Sequence, residues 1–221
     1  MNSLFKPNES TISIPIEPDN INQEDYSILD IERNLQDWTI PDVPKNQIYK
    51  ISTFSSKLSF LTNYTIKTVE KTISLNNDYE SLQLLTKKTI DHHKKQNYSF
   101  IHIGLVQVAI KPLTRNGLNT SVLLCLRDGR HYNFHDSLLG MVESSLFQGP
   151  VYFNCYPNYS LSLFDGNILH ALILNIKTND YQMMKGSHAL TVVYRIHYKL
   201  MKTTLEPQAL ITSPKGYTLL L

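Results

Sequence analysis

The side chains best suited to chemistry lie in one short segment, and they are Asp128, Arg130, His131, His135 and Asp136. His131 and His135 are four residues apart, a spacing that brings two imidazoles to one metal only on a helix. Asn133 and the Asp128-Gly129 turn signal disfavour a helix there, and no further Cys or His ligand lies close in sequence. We therefore interpret these side chains as structural turn residues rather than as a metal site.

Motifs of common enzyme classes are missing from the sequence. It has no Walker A pattern, Gly-x-Ser-x-Gly elbow, dinucleotide-binding glycines or His-Glu-x-x-His motif. A Ser–His–Asp triad is compatible with the composition, but nothing places its members together. We expect a protein that is not an enzyme and needs no cofactor or metal. A hydrolase is the remaining catalytic alternative, and it requires His131 and His135 to meet a common ligand.

Charge is distributed unevenly, although the net charge of the 221 residues is only +2. Residues 1–44 hold nine acidic and two basic residues, a net −7, whereas residues 45–221 hold nineteen basic and ten acidic ones, a net +9. A basic body behind an acidic arm suits a polyanionic partner, with the arm screening the body. Solubility alone is the alternative explanation.

The cysteines and the N-terminus predict in which cellular compartment the protein is made. Cys125 and Cys155 both lie inside apolar runs, so we expect two buried thiols and no disulfide. The N-terminus lacks a basic-then-apolar leader, and no stretch of about 18 apolar residues occurs. These features predict synthesis in the cytosol without secretion, and contact with a membrane only from its surface.

The acidic arm is predicted to contain one helix. Residues 1–25 are polar and contain proline, which predicts disorder. The apolar residues that then recur at spacings of three and four are Ile28, Ile31, Leu35 and Trp38. This pattern predicts a short amphipathic helix, which either docks on the body or binds a partner.

A second helix is predicted to begin at an Asp78 cap and to run to about Lys95. Its C-terminal half carries four bases, which are Lys87, Lys88, Lys94 and Lys95. Cations near a helix C-terminus are favourable by themselves. A solvated helix end and a phosphate-binding patch are therefore both open interpretations.

From residue 97 onward the pattern is typical of β-strands. A change of phase beside Gly104 predicts a β-bulge, and Asp128-Gly129 and Asp165-Gly166 predict tight turns. Many short strands with turn signals between them predict a mainly β fold, a jelly-roll-like antiparallel β-sandwich.

One inserted helix is expected within this β region. It is predicted to begin at Asp136 or Ser137 and to stop at Gly149-Pro150. Its apolar side chains are Leu138, Val142 and Leu146, which are four residues apart.

The clearest strand comes last, and its core face is predicted to consist of Leu190, Val192, Tyr194, Ile196 and Tyr198. The opposite face carries Arg195, His197 and Lys199. That face is expected to be exposed, where Arg195 and Lys199 suit phosphate contacts and the many tyrosines suit base stacking. The alternative is a solvated sheet face with core aromatics.

A series of short motifs then identifies a family resemblance. Residues 101–178 read IHIGLVQVAIKPLTRNGLNTSVLLCLRDGRHYNFHDSLLGMVESSLFQGPVYFNCYPNYSLSLFDGNILHALILNIKT. Leu126-Arg127-Asp128 is followed 58 residues after the Asp by Gly186. This stretch of sequence and the spacing from Asp128 to Gly186 resemble the thirty-kilodalton superfamily of plant virus movement proteins, especially its pararetroviral, caulimovirus-like branch. Leu126, Asp128 and Gly186 match the family hallmark.

The resemblance implies a function that spacing alone does not. Such proteins have a jelly roll related to viral capsid proteins, bind single-stranded nucleic acid without sequence preference and act at plasmodesmata. Pararetroviral members look like builders of tubules for virions. The implied partners are single-stranded nucleic acid, further copies of the chain and plasmodesmal host proteins, with the virion or coat protein and a membrane surface as further candidates.

In this family the Asp that corresponds to Asp128 is needed for movement. We expect a structural role, because a carboxylate at a strand end can accept turn N–H groups or pair with Arg130. Gly186 suits a backbone conformation or a close approach that a Cβ would obstruct.

The resulting organisation is an acidic arm (1–45), a jelly-roll domain (46–205) and a C-terminal tail (206–221). Family members usually continue into a tail that engages the virion, whereas this sequence stops at Leu221. A trimmed or processed piece and an endogenous viral copy in a plant genome are therefore open. The functional alternatives are a capsid-like shell protein and a domesticated nucleic-acid-binding module.

Overall fold

A computed structural model describes residues 38–51, 64–75, 77–112, 121–179, 190–203 and 209–220. The strands in these ranges are β1 (Tyr64–Leu75), β2 (Tyr79–Gln83), β3 (Phe100–Pro112), β4 (Ser121–Arg127), β5 (Leu138–Ser145), β6 (Val151–Cys155), β7 (Tyr159–Ser162), β8 (Ile173–Asn179), β9 (Leu190–Met201) and β10 (Tyr217–Leu220). The α-helices are α1 (Lys45–Ile48), α2 (Lys87–Lys95) and α3 (Phe134–Ser137), and single 3₁₀ turns lie at Leu146–Gln148 and Ile168–His170.

The strands form two facing sheets. The first sheet has the order β1-β9-β3-β6, with β7 also paired to β3, and the second has the order β10-β5-β4-β8-β2. Every pair is antiparallel except β10 with β5, which is parallel. Apart from the consecutive pair β4 and β5, strands that are neighbours in a sheet are not consecutive in sequence, as in the Greek-key connections of a jelly roll. The predicted mainly β, jelly-roll-like fold is confirmed.

The core lies between the sheets. Its largest contribution comes from β9, whose inward side chains are Leu190, Val192, Tyr194, Ile196, Tyr198 and Leu200. The first five are the predicted core face. Facing side chains of β4, including Leu124 and Leu126, are fully buried. Burial of one such aliphatic side chain stabilises the fold by about 1.5–3 kcal/mol.

Residues 38–49, called here the covering segment, cross the outer face of the first sheet. Ile40 packs against Ala109 and Val193, and Ile48 and Tyr49 pack against Leu105. The segment includes the last residues of the predicted arm. Likewise, β10 lies within the predicted C-terminal tail and pairs with β5.

The β-bulge predicted beside Gly104 is confirmed, because the pairing of β3 with β9 shifts register between Ile103 and Leu105. A Cβ on Gly104 would lie 2.5 Å from Tyr49 Oη and 2.8 Å from Ile48 Cγ2. Only glycine therefore lets the covering segment approach the sheet this closely.

The helix predicted from Asp78 to Lys95 is only half correct. Residues 79–83 form β2, whose side chains alternate between exposed and half-buried. The helix begins instead after Thr86, whose Oγ1 accepts a hydrogen bond from the Thr89 N–H at 3.3 Å. Residues 79–83 pair with β8, and the backbone hydrogen bonds of this pairing favour a strand over the predicted helix.

The helix predicted from Asp136 or Ser137 is wrong. One helical turn, α3, ends at Ser137, and Leu138–Ser145 is strand β5. Leu138 and Val142 do face the core. Residues four apart share a face of a strand as well as of a helix, so this spacing could not distinguish the two. The helix predicted around Ile28 to Trp38 lies almost wholly outside the described residues.

The described helices include none that is both long and apolar enough to span a membrane.

Candidate nucleic-acid interface and the Asp128 turn

Asp128 directly follows β4 and is 5% exposed. Its Oδ1 accepts hydrogen bonds from the backbone N–H of Arg130 at 3.1 Å and from Arg130 Nε at 2.9 Å. Its Oδ2 accepts a third from Arg130 Nη2 at 2.7 Å. Both contacts expected of this carboxylate, with a turn N–H and with Arg130, are present.

The Asp128 turn is also tied to other elements. The N–H of Asp128 donates to the Ser137 carbonyl at 2.7 Å, and the N–H of Gly129 donates to the His170 carbonyl at 2.8 Å. Arg130 Nη1 donates to Asp165 Oδ2 at 3.2 Å. Hydrogen bonding to Asp128 raises the pKa of Arg130, so the guanidinium stays charged. Arg130 thus joins the two predicted Asp-Gly turns.

The other chemically suited residues of this segment do not assemble a metal site. His131 Nε2 lies 3.7 Å from Asp128 Oδ2, and its side chain is 52% exposed. His135 lies in α3 and is exposed. Across the described part of the chain, no group of three or more His, Cys, Asp or Glu side chains is placed to hold a metal.

The remaining hallmark residues have different positions. Leu126 is fully buried in the core between the sheets. Gly186 lies outside the described residues.

Helix α2 presents the predicted basic residues at the surface. Ile90 and His93 are its buried side chains, which turns the lysines outward. Lys87, Lys88 and Lys95 are exposed. Lys94 is half-buried, with Nζ 5.3 Å from the centre of the Phe164 ring. Such a cation–π contact favours a fixed position of the Lys94 amine.

An open groove of about 860 Å³ lies beside α2. Residues 66–69 of the edge strand β1 line it together with side chains from α1 and α2 and with Tyr198 of β9. The charged and imidazole side chains that line it, called here the basic groove, are Lys45, Lys67, Lys88, Asp91, His92, His93 and Lys95.

Four lysines and one carboxylate give the basic groove an excess of positive charge. No described carboxylate forms an ion pair with Lys45, Lys67, Lys88 or Lys95. Lys67 Nζ donates to Gln96 Oε1 at 3.2 Å. Four amines against one carboxylate, Asp91, suit phosphate groups or carboxylates from outside the described fold.

His93 adds no charge to the groove. Its Nε2 lies 3.0 Å from the Tyr198 hydroxyl, and it is 3% exposed. Burial lowers the pKa of His93 to about 4, with a smaller contribution from Lys67. At neutral pH the His93 ring is therefore uncharged and adds nothing to the charge of the lysines.

The prediction that the outer face of β9 is exposed is wrong. The covering segment lies on it, and His197 and Lys199 are 2% and 3% exposed. Arg195 pairs with Asp42 at 3.2 Å and with Glu70 at 2.6 Å. Arg195 and Lys199 therefore do not face solvent in the way that a phosphate contact requires. Sequence alternation defines the two faces of a strand, but not what covers them.

Lys45 and Lys67 were not among the predicted phosphate contacts. They come from α1 and β1, and α2 supplies the other lysines of the groove. No local spacing links the three segments, although the positive excess after residue 44 indicated a polyanion-binding body.

Comparisons with known proteins show which family this chain resembles in sequence. The profile of the viral movement protein family (MP) matches residues 39–208. The movement protein of Figwort mosaic virus (strain DxS) is 32% identical over 147 residues, which are 62% of this chain and 46% of that protein. The movement protein of Soybean chlorotic mottle virus is 34% identical over 112 residues, 50% of this chain and 37% of that protein. The movement protein of Cauliflower mosaic virus (strain Strasbourg) is 28% identical over 157 residues, 66% of this chain and 47% of that protein.

This chain therefore belongs to the viral movement protein family, and its relatives include caulimovirus movement proteins. It spans less than half the length of these relatives.

Among solved structures, Desmodium yellow mottle tymovirus is similar with a TM-score of 0.44 and 10% identity, covering 96% of this chain and 100% of that one. A Turnip yellow mosaic virus chain has a TM-score of 0.44 and 11% identity, covering 68% and 96%.

Proposed function

We propose that this domain carries viral nucleic acid between plant cells by holding its phosphate backbone in the basic groove. The observation that supports the proposal most is the convergence of Lys45, Lys67, Lys88 and Lys95 on one open groove. Amines on flexible stems bind phosphates as point charges, without reading bases. Binding in the groove would accordingly be independent of sequence and would weaken as salt is added.

The family supplies the cellular part of the proposal. A movement protein acts where plant cells are joined, so the proposed location is the plasmodesma. The proposed mode of action is tubule-type self-assembly that lets the genome or virions pass. No catalytic step is proposed: the Asp128 carboxylate is held by Arg130, and the charge of the groove comes mostly from its four lysines.

Titration of an oligothymidylate with the full chain, followed by fluorescence anisotropy at several salt concentrations, tests the groove. Log K falls as log salt rises, and each lost phosphate contact should reduce the magnitude of this negative slope by about 0.7 for a single strand. The variant K88Q/K95Q is therefore expected to lose two such contributions. K177Q/K215Q is the matched control, since both lysines are exposed and lie outside the groove.

If both variants reduced the magnitude of the slope equally, net charge alone would explain binding. That result would contradict binding in the basic groove. A wild-type chain that does not bind the oligonucleotide would contradict nucleic-acid binding itself. For the cellular part, a fluorescent fusion of residues 1–221 is expected to form puncta at plasmodesmata in leaf epidermis. A diffuse signal at normal expression would contradict that location.

A further inference from the structure

The first 37 residues carry charge opposite to that of the groove. They hold eight acidic and two basic residues, a net −6, whereas residues 38–221 have nineteen basic and eleven acidic ones, a net +8. Five of the acids are concentrated just before the covering segment, and they are Glu24, Asp25, Asp30, Glu32 and Asp37. A polyanion is thus covalently attached to a body with a polycation-lined groove.

The described continuation of this arm already lies on basic residues of the body. Asp42 Oδ1 accepts a hydrogen bond from Arg195 Nη1 at 3.2 Å. The carbonyl of Pro41 accepts one from Gln107 Nε2 at 3.0 Å. The covering segment thereby occupies the face of β9 that would otherwise present Arg195, His197 and Lys199. One acidic residue of the arm end is therefore already used to neutralise a base of the sheet.

The covering segment connects the groove to the point where residues 1–37 join the described chain. Lys45, three residues after Asp42, lines the basic groove itself. Trp38 is fixed at the other side of the sheet, with its ring centre 6.3 Å from that of Tyr152. The strands β1-β9-β3-β6 span about 15 Å, whereas the residues from Glu24 to Trp38 reach up to about 45 Å when extended. The acidic residues from Glu24 to Glu32 can therefore reach across the sheet to the groove, whereas Asp37, which directly precedes Trp38, cannot.

We infer that residues 1–37, the part of the acidic arm that precedes the covering segment, occupy the basic groove in the free protein and compete there with nucleic acid. The arm is an intramolecular ligand, so its effective concentration at the groove is about millimolar. Nucleic acid, with many more charges per length, displaces it when present in excess, and the arm thus sets the threshold for loading. The identity of the competing ligand, nucleic acid, rests on the proposed function. The contact between the arm and the groove does not.

Cross-linking of the full chain with a carbodiimide tests that contact without nucleic acid. The reagent joins a carboxylate to an amine only when the two touch, and mass spectrometry then identifies the pairs. Cross-links from Glu24, Asp25, Asp30 or Glu32 to Lys45, Lys67, Lys88 or Lys95 are expected, and an excess of oligothymidylate should remove them. Cross-links confined to lysines outside the groove, or none from the arm, would overturn the inference.

Binding of oligothymidylate to full-length variants tests the competition. D30N/E32Q is expected to bind about fivefold more tightly than the wild type, a typical size for coupling between two ligands of one protein. The matched control D78N/E143Q removes two exposed carboxylates of the body and should gain less. Adding K88Q/K95Q should abolish the difference between D30N/E32Q and the wild type.

Equal tightening in D30N/E32Q and D78N/E143Q would overturn the inference, since net charge would explain it. The proposed function fails separately: if no chain binds oligothymidylate while the arm still cross-links to the groove, the contact stands and its competitor is wrong.

Discussion

The Arg130 guanidinium holds the Asp128 carboxylate through two parallel hydrogen bonds, of 2.9 Å from Nε to Oδ1 and 2.7 Å from Nη2 to Oδ2. This bidentate arrangement is among the strongest that side chains form. Because Arg130 also reaches Asp165, the pair fixes the end of β4 relative to the turn after β7. A residue that the family hallmark singles out is thus explained by the geometry of a turn.

Loss of the Asp128 carboxylate is expected to destabilise the fold. In D128A, Arg130 loses three hydrogen bonds, and the free energy of unfolding should fall by about 1–3 kcal/mol, the usual cost of unpairing a buried polar group. Urea denaturation of the full chain measures the change. D165N is the matched control and should lose less, because its carboxylate is 32% exposed and accepts one bond from Arg130. A D128A chain with wild-type stability that no longer reaches cell junctions would indicate a direct partner contact instead.

Addition of a methyl group at Gly104 is expected to loosen the covering segment. The new Cβ in G104A would meet Tyr49 Oη at 2.5 Å, so the segment must move away or the fold lose about 1–3 kcal/mol. Trp38, the only tryptophan of the chain, reports on the segment through acrylamide quenching of its fluorescence. G166A is the control, since a Cβ there has nothing within 4 Å. Unchanged quenching and unchanged stability in G104A would show that the close approach to Tyr49 is wrong.

Acid is expected to destabilise the fold through three buried histidines. Burial is the main cause that lowers the pKa of His93, His102 and His197 to about 4 each, against an ordinary value of 6.5. Above pH 6.5 these rings are neutral in both states, and between about 6.5 and 4 the unfolded chain binds more protons, so stability falls as the pH falls. At pH 5 the loss is on the order of 2 kcal/mol for each ring.

Urea midpoints at pH 7 and pH 5 measure this loss. The variant H197Q should show a smaller pH dependence, whereas H135Q, at an exposed position, should keep that of the wild type. Equal pH dependence in all three chains would exclude His197 as a contributor.

Both thiols are expected to be unreactive in the folded protein. Burial raises the pKa of Cys155 to about 12 and also raises that of Cys125, and the thiolate is the reactive form. Labelling with a chromogenic disulfide reagent at pH 8 should therefore proceed only as fast as the chain opens, and should become rapid in denaturant. Rapid labelling of one thiol per native chain would contradict the placement of that cysteine.

The sequence predicted the inward face of β9 correctly because alternation with period two leaves few other arrangements. It could not distinguish strand from helix at Leu138 and Val142, since a spacing of four suits both. Which segment of the chain covers a given face of a strand is harder still to predict. Arg195 and His197 are covered by residues 40–49, which lie about 150 positions earlier in the chain. The basic groove combines three distant segments for the same reason, and only half of its lysines could be named beforehand.

The pairing of β1 with β9 has a consequence for synthesis. Tyr64 pairs with Met201 and Leu75 with Leu190, so the partner of β1 follows it by 115 to 137 residues. At about 5–20 residues per second, β1 emerges from the ribosome many seconds before its neighbour exists. Until then the strand presents unpaired backbone groups to other nascent chains on the same polysome. Production of this protein should therefore depend on chaperone supply and suffer when translation is slow, and premature termination before Met201 should give aggregates rather than a smaller folded domain.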